Sequence, residues 1–454
     1  MAGLFDASPG KPSRLLDAGA GIGSLSSAFL ERCVEELRFE SIEVSAFELD
    51  GRLHEDLRRT LSGYSSRLPL GFKLSGGDFI EEAVNRIQFG GEKFTHAILN
   101  PPYKKISNDS RYRLLLRQAG IETVNLYSAF VALTVALMSP GGQVVAIIPR
   151  SFCNGPYYRA FRDFVLQRAA LRHIHLFDSR SQAFKDDAVL QENVIIKLEC
   201  GGKQGDVTVS TSTDDSFADL TTHIHSFDRI VFQDDPERFI HVPTSPELNA
   251  LELSAAIGRS LSDVGVTVST GPVVDFRLKE HLRDMPGPGT IPLLYPGHFI
   301  GQRTEWPKPD FKKPNAMVRN AETEKWLYPN GYYCIVRRFS SKEEKRRIVA
   351  SVVRPGSFGD AEALGFENHL NVFHEGKRGL PEALACGLTA FLNTMAVDES
   401  FRRFNGHTQV NVTDLKGMKY PSRAALVALG EWAMRQNGEP TQAMLDAQLE
   451  HLTA

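Results

Sequence analysis

Short apolar runs alternate with helix-like segments through the first half of this chain, and that rhythm leaves few folds open. The runs Ser13–Ala18, Ile42–Glu48, Phe72–Asp78, Thr95–Asn100, Gln143–Pro149, Leu171–Phe177 and Asn193–Leu198 read as buried strands. Helix-like stretches fill gaps between them at Gly23–Leu37, Arg52–Leu61, Asn125–Met138 and Tyr157–Ala170. Strands separated by helices pair side by side in parallel, with helices on both faces of the sheet. The expected fold class is therefore α/β, a seven-stranded Rossmann-like sheet, followed by a mixed α+β unit.

At 454 residues the chain exceeds one ordinary core and should form two domains. Composition shifts to Ser, Thr, Asp and Pro between Gln204 and Glu252, although Asp206–Ser212 is strand-like. The expected division is a first domain at 1–203, a connecting region at 204–255, a second domain at 256–435 and a tail at 436–454. Within the second, Tyr332–Phe339 and Arg347–Val353 read as a hairpin around the charged turn Ser340–Arg346, with a helix at Pro381–Met395. No apolar run reaches the length of a membrane span, and MAGLFDASPGKPS lacks the pattern of a secretory leader. Five scattered cysteines, none in a CxxC pair, fit reduced thiols in a cytoplasmic protein rather than a disulfide framework or a zinc site. Cys153 reads as a packing residue.

Four strand ends carry the chemistry. Asp17-Ala18-Gly19-Ala20-Gly21-Ile22-Gly23 closes the first strand and opens a helix, where glycines let a ligand approach the backbone. Its G-x-G-x-G spacing lacks the last step of the dinucleotide fingerprint. The second strand ends in Glu48-Leu49-Asp50, a carboxylate placed for ribose hydroxyls, and the third in Gly77-Asp78-Phe79, an acceptor for an adenine amino group beside a ring. The fourth ends in Asn100-Pro101-Pro102-Tyr103. Two prolines stiffen that turn, and an amide with an aromatic ring suits it to grip a planar amino-bearing group by edge and face. Ligands of open α/β sheets bind at such carboxyl ends, so the four motifs should line one crevice.

In that order the motifs resemble the S-adenosylmethionine-dependent amino-methyltransferases. More narrowly, the chain resembles the γ class of N6-adenine DNA methyltransferases of type II restriction-modification systems, and Glu367–His374 and Phe401–Ser422 look like target-recognition sequence of such enzymes. The resemblance implies a catalytic domain first, a DNA target-recognition domain second, S-adenosyl-L-methionine as cofactor and double-stranded DNA as partner. It also implies protection of host DNA from a cognate restriction endonuclease. Asp17, Gly19 and Gly21 would serve the methionine end, Glu48 the ribose, and Asp78 and Phe79 the adenine. Asp50 could equally cap the following helix. Asn100 and the Pro101 carbonyl would accept the hydrogens of the target amino group, within the stiff turn completed by Pro102 and Tyr103. Tyr103 would stack on a base flipped out of the duplex, with Phe184 as the aromatic on its other side.

The chain departs from the γ pattern at its start. Only Met1–Ser13 precede the first strand, too little for the upstream cofactor element, so a shortened chain with weakened cofactor binding is expected and Phe5 reads as a remnant of that element.

Basic residues late in the chain are candidates for DNA contact, although the net charge of −3 alone does not point to nucleic acid. Arg337, Arg338, Lys345, Arg346 and Arg347 surround the predicted hairpin, and Arg403 and His407 add to a second basic stretch. Gln409 and Asn411 can pair with adenine in a major groove or cap turns. Three other readings stand beside this one. One is an amino-methyltransferase acting on RNA or a protein glutamine. The second is a truncated, weakly active DNA-binding form, and the third, disfavoured by the glycine spacing, is a nicotinamide oxidoreductase.

Overall fold

A computed structural model describes the chain except for Pro9, residues 178–191, Leu248, Ala250, residues 252–253, Gln302, residues 341–342 and Ala454. It divides into two units, Met1–Pro246 and Glu247–Ala454.

The first unit is built on one nine-stranded sheet. Its strands are β1 (Pro12–Ala18), β2 (Ser41–Phe47), β3 (Leu70–Ser75), β4 (Phe94–Leu99), β5 (Met138–Pro149), β6 (Ala169–Phe177), β7 (Asn193–Cys200), β8 (Val207–Ser212) and β9 (Thr221–His225). They lie in the order β3-β2-β1-β4-β5-β7-β6-β8-β9. The first five are mutually parallel, and β7 runs against both β5 and β6. Seven expected strands are thus extended by two. The additions come from residues 204–255, which composition marks as a connecting region. The polar β8, Val-Thr-Val-Ser-Thr-Ser, alternates and pairs with β6, so its low hydrophobicity hides its place in the sheet.

Both sheet faces are buried, and the two-residue period of the strands explains how. Leu16, Ala97 and Leu99 point to the face covered by α3 (Phe79–Phe89) and α5 (Leu126–Leu137). Their neighbours Leu15, Val44 and Ile98 point to the other, where α1 (Ser24–Arg32) and α2 (His54–Ser62) supply Phe29, Leu30, Leu57 and Leu61. Phe5 is buried there too, edge-on to Phe29 with ring centroids 5.1 Å apart. Two helices beside the strand ends were not anticipated from sequence. One is α3, which begins at the Asp78 carboxylate. The other is α4 (Arg111–Gln118), whose polar composition masks it and whose start is capped by the Ser110 side chain.

The second unit has a four-stranded antiparallel sheet in the order Thr267–Thr270, Leu370–His374, Tyr333–Arg337, Ala350–Val353. The Tyr333–Arg337 and Ala350–Val353 pair is the hairpin expected from the alternating pattern. Beside it a five-stranded sheet is centred on Thr290–Leu294. Helices Glu382–Leu392 and Arg423–Met434 cross at two glycines. A Cβ on Gly387 would be driven into the carbonyl oxygen of Leu426, and one on Gly430 into that of Ala383. G387A should therefore destabilise this unit by more than about 2 kcal/mol, measured as a lower urea midpoint in a two-state transition. A midpoint like that of the unsubstituted protein would contradict the close crossing.

Candidate active site

Parallel pairing places the four motifs together. Ala18 lies opposite Phe47, and Phe47 opposite Ser75, so β1, β2 and β3 end level with one another, and β4 continues the row on the other side of β1. Beyond these ends lies a cavity of about 350 Å³, in the range of small-molecule sites. Gly19, Glu48, Asp78, Phe79, Asn100 and Pro102 all line it.

Glu48 is held from two directions. Its Oε2 accepts the Gly21 N–H at 2.8 Å and its Oε1 accepts the Asp50 N–H at 2.8 Å. The glycine turn makes the first bond possible, since Gly19 and Gly21 have φ of 85° and 56°. A Cβ placed on Gly19 would lie 3.9 Å from the Asn100 carbonyl oxygen, so the first and fourth strand ends approach closely. Each Glu48 oxygen keeps acceptor capacity for hydroxyl donors. Asp50 takes no comparable part. It accepts from the Arg52 backbone at 3.0 Å and pairs with the Arg52 guanidinium, which holds its carboxyl down at about 2.

Asp17 lies behind the turn rather than on the cavity wall. It is fully buried and accepts from the Ser26 hydroxyl at 2.6 Å, and its Oδ1 has no partner among the described residues. Burial pushes its carboxyl up to about 6. A buried carboxylate with one open oxygen under a glycine turn is suited to a cationic group.

Asp78 does two jobs. Its Oδ1 accepts the N–H groups of Ile80 at 2.9 Å and Glu81 at 3.3 Å, capping α3, and its Oδ2 accepts from the Tyr112 hydroxyl. Phe79 is almost wholly buried, edge-on to Phe47 at 5.2 Å and tilted against Phe130 at 4.9 Å. It is a wall of the cavity. Phe47, Leu49, Tyr112, Leu126 and Phe130 also line the cavity and escape a reading of the sequence. Only Leu49 leaves a signal, as the apolar middle of Glu48-Leu49-Asp50; it stands 68 % exposed.

At the fourth strand end, Pro101 is buried while Asn100 and Pro102 are exposed. The Tyr103 hydroxyl lies 3.1 Å from Asn100 Oδ1 and 3.3 Å from the Ile147 carbonyl and donates to one of them at a time, and its ring is edge-on to Tyr127 at 6.1 Å. Phe184 lies outside the described residues. All five cysteines are free and buried, and burial pushes the Cys153 thiol up to about 12, in keeping with a packing role. Among the described residues no His, Cys, Asp and Glu cluster could hold a metal, and no helix is long and apolar enough to cross a membrane.

The basic residues of the second unit are mostly engaged in its fold. Arg347 is buried and bonds Ser340 Oγ at 3.1 Å, Asn405 Oδ1 at 2.8 Å and the His407 carbonyl at 2.5 Å. Arg346 donates to the carbonyls of Asn393 and Thr394 at the end of helix Glu382–Leu392, and to Gln442. In the structure both guanidiniums are engaged by groups of their own unit. A basic run in sequence looks like a solvated turn, but Arg346 satisfies carbonyls that a helix end leaves open, and Arg347 bonds side-chain and loop oxygens. Asn411 is likewise the cap of a short helix at Val412–Gly417. Arg337 pairs with Glu344, while Arg338 reaches the Asn368 carbonyl at 3.2 Å and Gln409 Oε1 at 3.3 Å. Burial and Arg347 drive His407 down to about 4. Arg403 is half-buried, and of the nine candidates Lys345 alone is exposed.

Residues 70–184 match the family described as Eco57I restriction-modification methylase. Over 459 aligned positions the chain is 52% identical to the type II methyltransferase M.BsuBI of Bacillus subtilis, covering 100% of this chain and 91% of that one. The chain belongs to the type II methyltransferases. A second relative, the type II methyltransferase M.PstI of Providencia stuartii, is 42% identical over 94% of this chain and 85% of its own. The solved structure of the type IIL restriction-modification enzyme MmeI in complex with DNA matches 97% of this chain and 69% of that one, with a TM-score of 0.55 at 10% identity. That likeness concerns the fold.

The buried Asp17 of this methyltransferase gives a prediction with a defined sign. Its folded carboxyl titrates near 6 against an ordinary 3.8, so the ionised form is penalised in the fold. That penalty is full above pH 6 and vanishes as the pH falls below the unfolded value. D17N should melt at or above the unsubstituted protein at pH 8, and the gap should narrow as the pH falls from 6 towards 4. A gap that widens on acidification would refute the assignment.

Proposed function

We propose that this type II methyltransferase transfers a methyl group from S-adenosyl-L-methionine to N6 of an adenine flipped out of a short duplex DNA sequence. The single observation that carries the reading is the cavity in which Glu48, Asp78 and Asn100 meet at three strand ends. Its donors and acceptors fit the cofactor. Glu48 has acceptor capacity for two ribose hydroxyls and Asp78 for an adenine amino group, while Phe79 and Phe130 supply apolar wall. The unpartnered Asp17 oxygen behind the glycine turn provides negative charge at the methionine end. When bound, S-adenosyl-L-methionine supplies an electrophilic methyl group on a sulfonium.

The chain's own part is positioning. An exocyclic adenine nitrogen is a poor nucleophile because its lone pair is delocalised into the ring. Asn100 Oδ1 and the Pro101 carbonyl would accept hydrogen bonds from its two N–H groups and draw that lone pair out of the ring towards the methyl group; as N–CH3 forms and S–CH3 breaks, N6 sheds one proton to solvent. The stiff Pro101-Pro102 turn fixes both acceptors before the base arrives, which is electrostatic preorganisation. Tyr103 now holds Asn100 Oδ1 through its hydroxyl. As its ring turns to cover the base, that acceptor passes to adenine N6. Modification of a specific sequence protects host DNA from a cognate nuclease, a role supported by the restriction-modification setting of the relatives. The second unit is the candidate target reader, with Lys345, Arg337, Arg338, Arg403, His407 and Gln409 as remaining contact candidates.

Expression in a methylation-deficient host, followed by long-read mapping of modified bases, tests this reading. We expect N6-methyladenine at one short motif, and N100A should lower the methylation rate about 10²-fold or more while cofactor binding persists. Absence of modified adenine with the unsubstituted protein, or full activity of N100A, would overturn it.

A further inference from the structure

One wall of the cavity does not come from the strand ends. It comes from α4, whose second residue, Tyr112, lines the cavity and packs against the core of the first unit. The Tyr112 hydroxyl donates to Asp78 Oδ2, while Asp78 Oδ1 already accepts two backbone N–H groups. An ionised carboxylate offers roughly four acceptor positions, so three are filled by the protein and one remains on Oδ2. The neighbouring Arg111 pairs with Glu81 Oε2 at 2.9 Å, so the start of α4 is tied twice to the start of α3. The hydrogen bond to Asp78, together with burial, raises the Tyr112 phenol to about 12, which keeps it a donor at every working pH.

We propose that Tyr112 is a cofactor-positioning residue, which orients the Asp78 carboxylate so that its one open acceptor position receives the amino group of the cofactor's adenine. This rests on the reading of the cavity as an S-adenosyl-L-methionine site. The two ties of α4 have separable consequences. Removing the Tyr112 hydroxyl leaves the ring, its packing and the α3 cap in place, but frees Asp78 Oδ2 to lose its alignment. Removing Arg111 loosens the other tie, which lies on an exposed side chain, without touching Asp78.

The test is titration calorimetry of S-adenosyl-L-methionine with the full-length protein, Y112F and R111A, together with steady-state methylation of unmodified plasmid DNA and melting curves without cofactor. Y112F should weaken binding about three- to tenfold and raise KM for the cofactor in parallel, as expected for one lost hydrogen bond to a charged group. Its kcat at saturating cofactor should fall less than twofold, its melting temperature should hold, and R111A should bind within twofold of the unsubstituted protein. Unchanged binding by Y112F would overturn the proposal. So would equal weakening in R111A, which would assign the effect to docking of α4. Failure of the unsubstituted protein to bind S-adenosyl-L-methionine would overturn the cofactor reading itself, whatever Tyr112 does.

Discussion

The level ending of parallel strands β1, β2, β3 and β4 is the constraint on which the site depends. Each strand delivers one short polar motif at its carboxyl end, and the pairing register brings those motifs to one cavity. Glu48 then locks two of them together, accepting an N–H from the glycine turn after β1 and another from its own strand end. Gly19, Glu48 and Asn100 each stand directly at a strand end, and Asp78 stands just beyond one. Preorganised acceptors of this kind suit a reaction in which charge develops at one nitrogen and little proton transfer is required.

Much of this was legible in the sequence because β1, β4 and β5 are largely buried and read as apolar runs, with β2 and the edge strand β3 alternating beside them. Their ends then announce themselves by Gly, Pro and acidic residues. What was not legible has physical causes. Strands β8 and β9 are polar and lie beyond the antiparallel β7, so no hydrophobic run ties them to the sheet. Helix α4, in Arg-Tyr-Arg-Leu-Leu-Leu-Arg-Gln, carries three arginines and looks like surface, yet it contributes Tyr112 to the cavity. Phe47 and Phe130 pack with the core around Phe79, so they read as core residues in sequence although both also line the cavity.

The late arginines teach a different lesson. Charge in a sequence does not distinguish a phosphate contact from a helix-end partner, because both need a guanidinium and an array of oxygens. Arg346 and Arg347 find carbonyl and amide oxygens of their own unit. Asp398 completes that arrangement by accepting the backbone N–H groups of Arg347 and Ile348 at 2.6 and 3.0 Å. Guanidiniums with several hydrogen bonds are costly to disturb, and the buried Arg347 frames the surface of this unit rather than forming it.

The central claim is that the cavity beside Asn100 seats an adenosyl cofactor with its base at Asp78 and its ribose at Glu48. A crystal structure of the protein with S-adenosylhomocysteine measures this directly. We expect the adenine amino group within hydrogen-bond distance of Asp78 and both ribose hydroxyls on Glu48. An analogue bound elsewhere, or seated with its base away from Asp78, would contradict it.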